Sequence, residues 1–392
     1  MIHPKATSLL SAGAVLATLA AFALHPQAWG PGAEGPRFST AMALSAPPRA
    51  PAFPGLRFPW AGDFAQGLAP VQVDGKYGFI DTLGRRPIAP EFDYAGGFSE
   101  NRAPVLIGGK WGYLDVTGRV AIPPVFDFAG AFAEGLALVA TEAGYGFIDS
   151  AGAPVGDMQY SDARPFSEGL AAVRVGFDDY SAWGFVDRRG DLAIPPLFTD
   201  VPGGFSEGYA VVRTESEMPY RSGFIDSSGG FAIDTLYDAA GDFHEGLAPV
   251  GRGEWRGNRF QGTWGYVDGT GRLATPLAYA WAGAFREGKA LVRLAAGGYA
   301  WIGRDGRVLR AFREDLEVVR QEEGDLVTYK LHDACGFLDS LGGVPVGTPF
   351  AEAGTFRQGW ARVRLITDGP IVWGYIGRDG RYLGGSSSMA AH

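Results

Sequence analysis

The sequence predicts an all-β protein: a tandem array of about nine three-stranded units in an open, curved or superhelical stack, with a closed β-propeller as the alternative. Three observations predict it. The motif F-x-E-G-x-A-x-V recurs along the 392 residues, a block of the type W-G-F-I-D follows most copies, and Gly (60) and Pro (26) are abundant although 46% of residues are hydrophobic and 13% aromatic. A disordered chain lacks that apolar content, so the Gly and Pro mark turns between many short strands.

The N-terminal segment carries Lys5 and then no charge from Ala6 to Leu24, in a stretch rich in Ala and Leu. This predicts a signal peptide or membrane anchor over residues 1–29, with small residues suited to cleavage at Ala28-Trp29-Gly30 or Ala41-Met42-Ala43. Pro31, Pro36, Pro47, Pro48, Pro51, Pro54 and Pro59 then predict an extended Pro-rich linker over 30–63. The repeat domain is expected over 64–383 and a flexible tail over 384–392.

Aligned on the first motif, the units start at Phe64, Phe98, Phe132, Phe166, Phe205, Phe243, Phe285, Gln321 and Phe356. Five residues on, the slot is Ala in all but the Gln321 unit, and two further on it is Val in the same units, as in Ala103 and Val105. Residues two apart share one face of a strand, and the slot between them varies, so the fixed pair faces the packed side. The second block, as in Trp111-Gly112-Tyr113-Leu114-Asp115, reads as a strand covered on both faces, its Gly allowing close approach of a neighbouring ring or backbone. It ends in D-x-x-G, from Asp81 to Gly84 through Asp339 to Gly342, where Asp bonds its own turn and Gly takes positive φ. A third segment with Pro and an aromatic, as in Ile122-Pro123-Pro124-Val125-Phe126, reads as an edge strand, because Pro cannot donate to a ladder. A unit this small cannot bury its aromatic face alone, so neighbours share the core.

The succession F-x-E-G-L-A-x-V, W-G-F-I-D and x-x-G-x-x-x-I-P-P-x-F-D resembles the WG-repeat family, with Trp111-Gly112, Trp183-Gly184, Trp264-Gly265 and Trp373-Gly374 intact. The resemblance implies a bacterial, β-rich repeat protein, often exported, with no catalysis in the repeat itself and a role in binding. Two units depart from the pattern: Tyr299-Ala300-Trp301 replaces the glycine, and the Gln321 unit puts Cys335 in the Trp slot, so packing between about 299 and 340 is expected to be less regular.

With 34 basic and 43 acidic residues, the net charge of −9 leaves no footprint for nucleic acid, and a membrane is expected only through an uncleaved N-terminal segment. One cysteine makes no internal disulfide. His244 fills a variable slot and reads as solvated, while Cys335 beside His332 and Asp333 takes an aromatic core slot and reads as an inert thiol. One carboxylate per turn falls short of the ligands calcium needs, and no four zinc ligands gather, so neither metal nor cofactor is expected. No pair of acids stands out for glycoside hydrolysis, and most Trp fit core slots. Insertions after the first strand, around Gly176–Ser181, Glu215–Arg221 and Gly251–Gln261, place candidate binding residues on loops: Asp178, Tyr180, Tyr220, Trp255 and Arg256. Trp281 and Trp360 join them as aromatics out of phase with the Trp-Gly pair. The expected function is an exported, non-enzymatic scaffold, periplasmic, secreted or membrane-anchored, that binds a protein or cell-envelope component. The alternative is a carbohydrate-binding or glycan-hydrolysing β-repeat protein.

Overall fold

The computed structural model describes residues 55–176, 181–214, 221–257, 259–312, 316–321, 326–331, 334–338, 346–367 and 369–384. The expected signal or anchor, the linker up to residue 54 and tail residues 385–392 lie outside them. Among the described residues every regular element is a strand, and no helix is long and apolar enough to cross a membrane.

The first hairpin pairs β1 (Leu68–Val73) with β2 (Lys76–Asp81), and β3 (Ile88–Phe92) runs along β2. The next sheet orders β4 (Tyr94–Ala95), β5 (Arg102–Ile107), β6 (Lys110–Asp115) and β7 (Val120–Phe126), each antiparallel to its neighbour. The short β4 corrects the three-stranded expectation for this unit. Asp93 and Gly96 donate backbone N–H bonds to the carbonyls of Leu106 and Pro104, which holds the segment before Phe98 against β5. The same arrangement recurs down the chain in sheets of three or four strands, and one of seven in which Leu273–Ala282 runs unbroken from one unit into the next.

Within a sheet the register explains the motif. Ala103 pairs with Leu114 and Val105 with Gly112, and both members of the fixed Ala/Val pair are fully buried. Pairing between β6 and β7 skips between Trp111 and Tyr113, so β7 bulges over Gly112. A Cβ on Gly112 would sit 2.6 Å from the Ile122 carbonyl oxygen and 2.8 Å from the Pro124 nitrogen. The glycine of the Trp-Gly pair is therefore demanded by the backbone of its own outer strand.

The core lies between sheets. Tyr113, Ile122 and Phe126 of one unit pack with Ala129, Phe132, Ala137, Val139 and Ile148 of the next. In most units the ring two residues after the Trp slot meets the opening Phe of the following unit. Phe79–Phe98, Tyr113–Phe132, Phe147–Phe166 and Phe224–Phe243 have centroids 4.9, 5.0, 4.7 and 5.0 Å apart. Their tilted or edge-on contacts are the favourable geometry for aromatic pairs. Where the ring is Tyr its hydroxyl donates to a glycine carbonyl of the next unit, as Tyr113 does to Gly130 at 2.8 Å. In the degenerate region Trp301 turns instead to Phe312, at 6.2 Å.

The same pairing joins the two ends of the array. Phe64 packs on Tyr375 at 4.9 Å, and the Tyr375 hydroxyl donates to the Gly62 carbonyl at 2.7 Å. Phe58 and Trp373 exchange backbone hydrogen bonds of 2.9 and 2.8 Å, and Leu56 N–H donates to the Leu383 carbonyl at 2.9 Å. Phe58, Ala61, Phe64 and Val71 share one core with Tyr375 and Leu383. The open stack is corrected: first and last units are bonded to each other. The linker boundary is corrected with it, because Leu56 and Phe58 bond to the last unit and Phe58 is 2% exposed. Phe58 takes against Trp373 the place that Phe126 takes against Trp111.

Candidate binding site

Two features prepare the surface. The first is the E-G turn. Glu134 and Gly135 both have positive φ (55° and 80°), which makes a two-residue hairpin turn, and Asn101 (64°) stands in for Gly in the second unit. Successive turns reach one another. The Glu100 carboxylate accepts from Gly135 N–H at 2.7 Å and Glu134 from Gly169 at 2.8 Å, while Glu168 accepts from Glu207 and Gly208 at 2.6 and 2.7 Å. Glu207 takes Glu245 and Gly246, both at 2.6 Å. Gln66 and Gln358 make the same contact through amide oxygens, and Gln358 accepting from Gly67 at 2.7 Å carries the chain of contacts across the seam. The recurring glutamates are thus bound to neighbouring turns.

The aspartates are bound to their own turns. Asp115 Oδ1 accepts from the Thr117 hydroxyl and from the N–H groups of Thr117 and Arg119 at 2.6, 2.8 and 3.1 Å. The hydroxyls of Thr117, Ser228 and Thr270 hold Asp115, Asp226 and Asp268 below the usual carboxylate range, with backbone amides adding to the effect. Among the described residues no group of three or more His, Cys, Asp or Glu is placed to hold a metal. Cys335 is half-buried, and burial pushes its thiol up; His332 and Asp333 lie outside the described residues. His244 is half-buried in an E-G turn.

The second feature is a pair of aromatic slots. The Trp slot was expected in the core, and Trp183 is there, 2% exposed, but Tyr77, Trp111, Tyr145, Trp264 and Trp373 are only half-buried. These rings lie at the margin of the inter-sheet cores, Trp111 packing against the cluster of Tyr113, Ile122 and Phe132 while keeping one edge in solvent. Four residues before the opening Phe stand Trp60, Tyr94, Phe128 and Trp281. In the first two units these slots mesh: Trp60–Tyr77, Tyr77–Tyr94, Trp60–Tyr94 and Tyr94–Trp111 have centroids 5.3, 4.8, 5.8 and 5.7 Å apart. Beside this cluster, at the seam, opens a cavity of about 760 Å³. Trp60, Tyr94, Pro70, Asp63, Arg357 and Gln358 line it, with Gly62, Gly96 and Gly97 forming part of its wall. Asp63 is ion-paired to Arg362 at 2.9 Å.

The residues predicted from sequence are placed elsewhere. Asp178, Tyr180 and Tyr220 lie outside the described residues. Trp255 and Arg256 share the end of the long hairpin Leu247–Arg256 and Arg259–Asp268. There Trp255 is half-exposed (49%), packs edge-on with Phe260 at 5.3 Å and donates its indole N–H to the Asp238 carbonyl, while Arg256 pairs with Glu254 at 3.6 Å. Trp281 is 42% exposed and in phase with Trp60 and Tyr94. Trp360 packs against the closing core and has a structural place. The cavity residues were missed because Trp60 and Asp63 fell inside the expected linker. One signal marks them: Phe58 precedes Phe64 by the same interval that separates Phe92 from Phe98 and Phe126 from Phe132.

Sequence comparison gives the repeat its family. The model of the WG containing repeat matches residues 55–77, 77–111, 111–142, 145–176, 183–216, 223–253 and 264–295, more than half of the chain. The chain belongs to that family. The WG matches begin at residue 55, beside the seam residues Leu56 and Phe58, and stop before the departures at Tyr299 and Cys335. A search of curated proteins finds no match. Among solved structures, a eukaryotic initiation factor is similar at 10% identity, over 86% of this chain and 89% of its own, with a TM-score of 0.51. The computationally designed Ika8 protein is 13% identical over 72% of this chain and 95% of its own (TM-score 0.41). BamB from Moraxella catarrhalis is 13% identical over 69% and 81% (TM-score 0.32). At these identities the initiation factor likeness speaks of fold alone, and the other two carry no argument.

Proposed function

We propose that this protein is an exported, non-enzymatic scaffold, a closed ring of nine WG units that binds a protein or cell-envelope component on its surface. One observation carries the reading. The recurring carboxylates are taken up by turns and inter-unit contacts, whereas the aromatic rings of Phe128, Trp255 and Trp281 stand half-exposed. Such rings supply contact area at low entropic cost and are enriched where proteins recognise partners. The long hairpin bearing Trp255 and Arg256 adds a projecting surface of the same kind, with the Arg213 guanidinium 5.9 Å from the Trp255 ring.

The test is fractionation of cells carrying the tagged full-length chain, followed by crosslinking and capture. The expected result is recovery outside the cytoplasm, with a reproducible envelope partner whose yield falls at least about tenfold in a Trp255→Ala, Arg256→Ala double variant of unchanged melting temperature. Recovery of the chain solely from the cytosol, or capture unaffected by variants on every exposed aromatic, would overturn the proposal.

A further inference from the structure

We propose that the cavity at the seam is a binding site for a neutral pyranose sugar, stacked on Trp60 and Tyr94 and hydrogen-bonded by Asp63 and Gln358. This deepens the scaffold reading by giving one site a ligand class, and it rests on different residues from the hairpin.

Three observations point to a ligand. The rings are not a requirement of the frame: in the slot of Trp60 and Tyr94, other units carry Asp162, Ala239 and Glu352 and still build their sheets. Aromatic residues fill that slot in three consecutive units, Trp60, Tyr94 and Phe128, and the first two of these also line the cavity. The volume of about 760 Å³ lies within the range of small-molecule sites and accommodates one or two sugar rings. The lining is also open where a frame residue could have filled it, since a Cβ added to Gly97 would meet no atom within 4 Å.

Chemistry selects the class. A pyranose presents a flat face of C–H groups and a rim of hydroxyls, so it needs an aromatic plane beside donors and acceptors. Trp60 and Tyr94 supply the planes, held by Tyr77 and Trp111 behind them. The Gln358 amide oxygen is taken by Gly67 N–H, which leaves its amide nitrogen to donate to a hydroxyl. The Asp63 carboxylate is anchored by Arg362 through Oδ1 and offers its second oxygen as an acceptor. Asp63 and Arg357 together give the lining no net charge, which disfavours an anion or a cation and suits a neutral polyol.

The test is titration of the full-length protein with cellobiose, maltose and di-N-acetylchitobiose, read by tryptophan fluorescence and calorimetry, with decaproline as a second kind of aromatic-stacking ligand. At least one of the sugars is expected to bind saturably and decaproline not at all. Gly97→Leu, which adds a bulky side chain to the cavity wall, and Trp60→Ala should each weaken that sugar at least about tenfold, while Leu197→Ala on an outer strand leaves it unchanged. Gly97→Leu should retain the wild-type melting temperature, which separates loss of the site from loss of the fold. No response to any of the three sugars, binding of decaproline instead, or sugar binding undiminished in Gly97→Leu would each overturn the proposal. A chain that captures its envelope partner yet ignores every sugar would fail this inference alone.

Discussion

At Gly112 the absence of a side chain matters more than backbone freedom. Its φ is unexceptional, and what excludes a Cβ is the Ile122 carbonyl and the Pro124 nitrogen of the outer strand. Backbone cannot yield as the end of a flexible side chain does, so Gly112→Ala is expected to destabilise by more than about 2 kcal/mol, whereas Gly97→Ala should stay within about 0.5 kcal/mol. Urea unfolding of the two variants side by side checks the contrast, and equal midpoints would remove the steric account. The reading of Gly112 as a site of close approach was legible in the sequence, but whether ring or backbone approached was not. The partner lies in the outer strand, and its bulge is a property of the pairing.

Between elements, the E-G turns form a relay in which, from Gln66 to Glu245 and again at Gln358, a carboxylate or amide oxygen caps the next unit's turn. The natural Gln66 and Gln358 argue that an acceptor oxygen is required and a negative charge is not. Glu207→Gln should therefore change stability by less than about 0.5 kcal/mol, while Glu207→Ala leaves the Glu245 and Gly246 amides without that acceptor and should cost about 1 kcal/mol. Thermal melts in low and high salt decide it, since a contact that depended on charge would make the Gln variant as weak as the Ala variant at low salt. The Glu in the motif was visible as a recurrence, but its partner lies a whole unit away. Strand alternation placed the Ala and Val slots correctly because that rule is local. It did not settle the Trp slot: Trp111 shares a face with the fully buried Tyr113 in an unbroken register with β5, yet it stays half-buried at the margin of the core.

For the whole molecule the seam decides what the N-terminal boundary is. A chain beginning at residue 64, where motif alignment starts the repeat domain, lacks Leu56 and Phe58 and uncovers Trp373, Tyr375 and Leu383. It should melt well below a chain beginning at residue 55 and bind a hydrophobic dye; the single change Phe58→Ala should cost about 3 kcal/mol, as for other large buried side chains. Coincident melts of the two chains would show that the seam contributes nothing. The sequence alone determined the all-β class, the hairpins, the Asp turns, the family resemblance and the sharing of core between neighbours, because side-chain period and turn chemistry are written within a few residues. Only the tertiary structure decided that the ends meet, that most rings of the Trp slot stay half-buried at the margin of the core and that a cavity opens beside Trp60 and Tyr94. Those outcomes depend on how small rotations between successive sheets add up, and that sum is fixed by packing across every interface and by no single repeat.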